Sequence, residues 1–203
     1  MSSITAVFFD FDGVLCTDRF FTALAPDYPH VQEWISRHVF GGEKYCDRWM
    51  RGELSYRHVN RIIAEATGIS SELLDKLLVA GVCRMKVNNA LIQFAEKLKQ
   101  NNIKVALVTN NMDVFSEITV PAKQLDKTFP IIINSFEYGL MKQDKNGKLF
   151  DIALNWLGLY SYDGVLLVDD TPAYCEIFKS KGGQVYQYTG QEDFLEWAEK
   201  LTV

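Results

Sequence analysis

Three observations predict an α/β fold built on a doubly wound parallel sheet. Short apolar runs at residues 6–9, 105–108, 131–133, 165–168 and 185–188 read as five strands. The runs are continuous rather than alternating, the pattern of parallel strands covered on both faces. Helical periodicity over 89–99 and 149–157 falls between strands, so strand and helix alternate as they do when helices pack on a sheet.

The first strand, residues 6–9, is cut off at once by Asp10. Residues 16–85 then contain no convincing strand. Helices are expected there over 31–40, 43–50, 55–66 and 71–79, with Ser55 and Ser71 as N-caps and Gly52, Gly68 and Gly81 closing the ends. Leu73, Leu74, Leu77 and Leu78 recur at i, i+1, i+4, i+5, which draws a single apolar stripe along a helix. Beyond this insert, residues 89–99 place Leu91, Phe94, Ala95 and Leu98 on one side, and 149–157 do the same with Phe150, Ala153, Leu154 and Leu157. Gly182 and Gly183 read as a helix stop before the last strand, and a helix over 194–201 closes the chain.

Composition narrows the function. The chain has 203 residues, 48% hydrophobic and 23% charged, with a formal net charge of −5. An acidic balance argues against nucleic-acid binding, which relies on neutralising phosphates, but leaves small phosphorylated ligands open. No apolar run approaches the roughly 20 residues that span a bilayer, and no basic leader precedes the first strand. Cys16, Cys46, Cys83 and Cys175 form no C-x-x-C pair. Free thiols and a cytoplasmic protein are therefore expected. All seven arginines lie in the insert or at its edge, which is itself neutral, so the remaining residues carry the whole −5. Arginines on helices usually solvate an outer face; the sharper expectation is that one or two, such as Arg48 or Arg51, grip an anionic substrate.

The strand ends carry the chemistry. In open α/β sheets ligands bind beyond the carboxyl ends of the strands. Here those ends read Asp10-Phe11-Asp12-Gly13, Thr109-Asn110-Asn111, Asn134-Ser135 running on to Lys142, and Asp169-Asp170. Two unit charges at 4 Å repel by about 4 kcal/mol at an effective dielectric near 20. Acids gathered at one edge must therefore protonate, separate or share a cation, and an all-oxygen set suits Mg²⁺. Asp10 and Asp12, at i and i+2, point to one face of an extended chain roughly 7 Å apart. A lone D-x-D is most often a cap or a turn; four polar strand ends in one chain are not explained that way.

These segments resemble the haloacid dehalogenase-like (HAD) hydrolase superfamily, in its phosphatase branch with a small helical (C1-type) cap. Phe8-Phe9-Asp10-Phe11-Asp12-Gly13-Val14-Leu15 is similar to the first motif, Leu107-Val108-Thr109-Asn110 to the second, Lys142 to the lysine of the third, and Leu167-Val168-Asp169-Asp170 to the acidic fourth. The insert falls where the family carries its cap. The resemblance implies a Rossmann-like core of residues 1–15 and 86–203 with a cap of residues 16–85. It implies Asp10 as nucleophile, Asp12 as general acid and then base, and Lys142 offsetting charge. Thr109 and the Asn110 amide would hold phosphate, with Asn111 a further candidate for substrate contact. Magnesium would be held by Asp10, the Asp12 carbonyl, Asp169 and Asp170. An acid two residues after the nucleophile is absent from the family's dehalogenating members, so a phosphatase or a phosphomutase is implied. The third motif departs from the usual Lys-Pro-Asp, reading Lys142-Gln143-Asp144-Lys145, which leaves Lys145 and Lys148 as alternatives to Lys142.

The expected function is a Mg²⁺-dependent phosphatase for a small phosphorylated metabolite, best a sugar phosphate, working as a monomer or weak homodimer with no nucleic-acid or membrane partner. A phosphomutase of the β-phosphoglucomutase type is the alternative within the family, and a non-catalytic metal-binding regulatory module the alternative outside it. His30, His38 and His58 lie in the insert and are expected to pack or solvate helices. Trp34, Tyr45 and Trp49 share the insert with Arg48 and Arg51; packing is the more frequent use of such aromatics, a sugar pocket the other. Asp113 is expected to cap a helix.

Overall fold

The computed structural model describes residues 3–24, 26–42 and 44–199. Five parallel strands form one sheet: β1 (Ala6–Phe9), β2 (Lys104–Thr109), β3 (Ile131–Asn134), β4 (Val165–Asp169) and β5 (Gln184–Gln187). Their order is β3-β2-β1-β4-β5, so the first strand is central. Phe9 is level with Leu107 on one side and Val168 on the other, and Thr109 is level with Asn134. Asp10 and Asp169 consequently leave the sheet at the same height.

Adjacent strand residues face opposite sides, and here both sides are buried. Val7, Phe9, Val105, Leu107, Leu166 and Val168 belong to one apolar layer; Ala6, Phe8, Ala106, Val108, Val165 and Leu167 belong to the other. Helix α5 (Asn89–Gln100) covers the first layer with Leu91, Ala95 and Leu98. Helices α9 (Lys148–Trp156) and α10 (Pro172–Ser180) cover the second, where Phe178 meets Phe8 and Phe150 edge-on at 5.7 and 5.1 Å. Each such buried phenyl contributes about 1.5–3 kcal/mol. Helix α11 (Gln191–Glu199) returns to the first layer, with Phe194 edge-on to Phe94. The expected end of that helix at Leu201 lies outside the described residues.

Between β1 and α5 stands a helical insert: α1 (Pro29–His38), α2 (Cys46–Met50), α3 (Tyr56–Thr67) and α4 (Ser71–Arg84), after a 3-10 turn at Thr22–Leu24. The start expected at residue 43 falls on an undescribed position. Ser55 caps α3 by accepting from the His58 amide, and Gly68 closes it at φ 76°. Two boundaries of α4 need correction. Ser70, not Ser71, is the N-cap: its backbone is extended and its hydroxyl accepts from the Leu73 amide. Gly81 does not stop the helix, because it keeps a helical backbone and the buried stripe Leu74, Leu78, Val82 continues past it at four-residue intervals.

Short elements went unread in the sequence. A π-helical turn at Phe115–Thr119 leads into α6 (Val120–Lys123), and Gln124, at φ 54°, separates it from α7 (Leu125–Thr128). Single turns carry too little periodicity to be seen. Helix α8 (Ser135–Tyr138) follows β3 directly. Among the described residues, no helix is long and apolar enough to cross a membrane.

Candidate active site

The carboxyl edge of the sheet gathers buried charge around one ammonium. Lys142 lies in the loop after α8 and is fully buried. Its Nζ sits 2.8 Å from Asp10 Oδ1 and 2.7 Å from Asp169 Oδ2. A buried cation is tolerable only when paired and hydrogen-bonded, and here the ends of two adjacent strands supply the partners. Asp10 Oδ1 also accepts from the Phe11 amide at 2.7 Å, and Asp169 Oδ1 from the Thr171 amide at 2.9 Å. Burial raises the Asp10 carboxyl to about 7; Lys142 pulls it down and Asp169 pushes it up. Burial pushes Lys142 down, but Asp10 and Asp169 pull harder and hold it above its ordinary value. Lys145 and Lys148 do not compete for this place: Lys148 is 3.8 Å from Asp151 on the outside of α9, and Lys145 is a left-handed turn residue at φ 47°.

The turn carrying Lys142 is tied down without the missing proline. Its amide donates to Asn110 Oδ1 at 2.8 Å. Asn110 Nδ2 in turn reaches the Tyr174 hydroxyl at 3.0 Å, and the Tyr174 ring lies 5.2 Å from the Lys142 ammonium. Asp144 accepts from the Met141 amide and takes both Nη groups of Arg51 from the insert. That carboxyl is held below its usual range by the Arg51 hydrogen bond.

Asp12 stands at the mouth of the edge. Asn111 Nδ2 donates to its Oδ2 at 2.9 Å, and Arg19 is 3.2 Å from its Oδ1. Burial raises its carboxyl to about 6, against the pull of Arg19. Asn111 itself is fully buried, so its side chain is committed to Asp12 and to the Met112 amide. Thr109, at the end of β2, has a buried hydroxyl with no hydrogen-bond partner among the described residues. An unpaired buried hydroxyl costs about 1–3 kcal/mol, so the end of β2 holds unused capacity for a ligand.

Carboxylate oxygens of Asp10, Asp169 and Asp170 lie within 4.8 Å of one another. The donors are all oxygens, and Lys142 alone does not balance their charge. Both features fit a hard divalent cation such as Mg²⁺. Gly13 makes the crowding possible: at φ 82° it accepts a left-handed backbone, and a Cβ there would run into the Asp170 carboxylate.

Several expectations change here. Asp113 does more than cap a helix. It is buried and accepts from Trp49 Nε1 at 2.7 Å and from the Tyr56 amide at 2.9 Å, binding the insert to the loop after β2. Arg48 pairs with Glu53 at the surface and Arg51 with Asp144, so neither meets the acids; Arg19 does. Trp49, by contrast, is packed in the core, the more frequent use expected of it. Tyr174 went unread, because one tyrosine within a helix carries no local signal.

A family model for haloacid dehalogenase-like hydrolases matches residues 4–173. No curated protein gives a significant match to the sequence. Among solved structures, a predicted HAD-like family hydrolase from Porphyromonas gingivalis superimposes with a TM-score of 0.76 at 15% identity, covering 98% of each chain. A HAD family enzyme from Bacteroides thetaiotaomicron, in complex with magnesium and inorganic phosphate, gives a TM-score of 0.71 at 14% identity over 96% of this chain and 99% of that one. The L-2-haloacid dehalogenase of Xanthobacter autotrophicus gives 0.65 at 19% identity over 95% and 81%. At these identities the likeness is one of fold.

Proposed function

The chain belongs to the haloacid dehalogenase-like hydrolases, and from that premise we propose that it is a Mg²⁺-dependent phosphatase for a small phosphorylated metabolite. Asp12 carries the reading. It is a second acid beside the nucleophile position, oriented by Asn111 and Arg19 toward the space between core and insert. A departing alkoxide needs a proton, whereas a departing halide does not. The magnesium and phosphate in the Bacteroides enzyme support the same reading.

In this mechanism Asp10 attacks phosphorus, the bond from phosphorus to the ester oxygen breaks, and Asp12 gives that oxygen its proton. Asp12 then takes a proton from water as the water attacks phosphorus. The aspartyl-phosphate splits to inorganic phosphate and the free Asp10 carboxylate. Splitting one displacement into two in this way is the use of covalent catalysis. Thr109 Oγ1 and the Asn110 amide bind the phosphoryl oxygens, and Lys142 offsets charge on Asp10 and on the group it carries. Bound Mg²⁺ would be held by Asp10, the Asp12 carbonyl, Asp169 and Asp170, and would supply fixed positive charge against the phosphoryl oxygens. Residues 16–85 act as a cap over a core of residues 1–15 and 86–203, excluding water and selecting the alcohol.

The test is phosphate release from a panel of phosphomonoesters, with and without a chelator. Release that stops on chelation and returns with Mg²⁺ is expected; turnover indifferent to chelation overturns the metal assignment.

A further inference from the structure

A cavity of about 560 Å³ lies between insert and core and opens onto Asp12 and Asn110. Its size is that of a small-molecule site, larger than a phosphoryl group needs. The rest of that space belongs to whatever alcohol the phosphate is attached to. The walls therefore describe that alcohol.

Phe20, Phe40, Met50 and Met112, with Cys46, form the apolar part of those walls. Phe40 is one of four large hydrophobic residues that the described fold leaves exposed, at 38%. Aromatic rings are matched by edge-on phenyl contacts and by thioether sulfur. A polyol set against the same walls would strand hydroxyls without partners.

The polar part is nearly all committed. Thr22 donates to the Arg19 carbonyl, and Asp18 accepts from the Lys86 amide. Arg19, the only lysine or arginine on the wall among the described residues, is paired with Asp12. Gln32 is different. Its Nε2 donates to Ser36 Oγ at 3.4 Å, while its Oε1 is buried with no partner among the described residues. Gln32 thus lines the cavity with one unused acceptor, and no cation remains for a second anionic group.

Resting on the phosphatase reading, we propose that Gln32 is a specificity-determining residue. The favoured substrate is the phosphomonoester of an alcohol borne on an aromatic ring, with one O–H or N–H donor for Gln32 and no further negative charge. It departs from the sugar phosphate expected from the sequence.

The experiment measures kcat/KM for phosphate release by the full chain with Mg²⁺, using benzyl phosphate, 3-hydroxybenzyl phosphate, glucose 6-phosphate and fructose 1,6-bisphosphate. The two benzyl esters should exceed both sugar esters by tenfold or more, and the hydroxybenzyl ester should exceed the benzyl ester about tenfold. In Gln32→Leu the hydroxybenzyl-to-benzyl ratio should fall to near one. Because that ratio is taken within one preparation, the fraction folded does not alter it. Phe40→Ser should lower the aromatic esters relative to glucose 6-phosphate. A sugar ester favoured over both benzyl esters, or a ratio unmoved by Gln32→Leu, overturns the proposal and leaves the phosphatase reading standing. No phosphate from any of the four esters, nor from the wider panel, removes the phosphatase reading and this proposal with it.

Discussion

The acidic edge of the sheet and the helical insert above it hold their charges by opposite rules. At the edge, Asp10, Asp169 and Lys142 are removed from water and satisfy one another within 2.8 Å. In the insert, Arg37 and Arg48 pair with Glu33 and Glu53 at 2.9 Å while at least about half exposed. Both sets look alike on paper. The insert even holds every arginine of the chain. What separates them is desolvation, which makes a buried charge costly unless paired and so confines such charges to places built for them. The lesson concerns where to look: charge density marks solvated faces, and burial marks the site.

The comparison breaks most sharply at Asp10. Asp10→Asn keeps the shape and removes the nucleophile, so turnover should fall by at least about 10⁴-fold, with the melting temperature within a few degrees of wild type. Activity within tenfold would place the chemistry elsewhere. Gly13→Ala comes next. It forces a left-handed backbone on alanine and drives its Cβ into Asp170, so Mg²⁺-dependent turnover should drop by about 10²-fold or more, as misplacement of reacting groups does. Steady-state kinetics across a Mg²⁺ titration would read it.

Lys142→Met tests the buried side directly. It leaves Asp10 and Asp169 without their shared cation, and denaturant unfolding of the metal-free protein should show a loss of about 3–5 kcal/mol. An unchanged midpoint would mean that this buried pairing does not support the fold. Arg48→Ala sharpens the other side. Its exposed pair with Glu53 is worth about 0–1 kcal/mol, and kcat/KM should stay within twofold; a tenfold change would return Arg48 to the substrate.

Much of the frame was readable without coordinates. All five strands appear close to where the apolar runs stand, and in the inner ones the run is continuous because a parallel strand covered on both faces buries every residue and the run must stop where the sheet stops. The insert was readable as helices from its stripes. Its ends were less so: Ser70 and Ser71 are chemically identical, and only the backbone angle at each decides which one caps α4. Lys142 stands beyond the third strand end in the sequence, but its role comes from the resemblance. The partners were not readable at all. Asn111 meets Asp12 from 99 residues away, Trp49 meets Asp113 from 64, and Arg51 meets Asp144 from 93.

The sequence by itself determined which segments become strands and which residues stand at their carboxyl ends, because periodicity, caps and turn residues act over a few neighbouring positions. Only the tertiary structure decided which cation joins which acid, that Asn111 supports Asp12, and that Gln32 rather than Arg48 or Arg51 lines the cavity. Those pairings depend on how distant loops close against one another. A change of a few ångströms in that closure exchanges a buried partner for water, and no local pattern of residues records it.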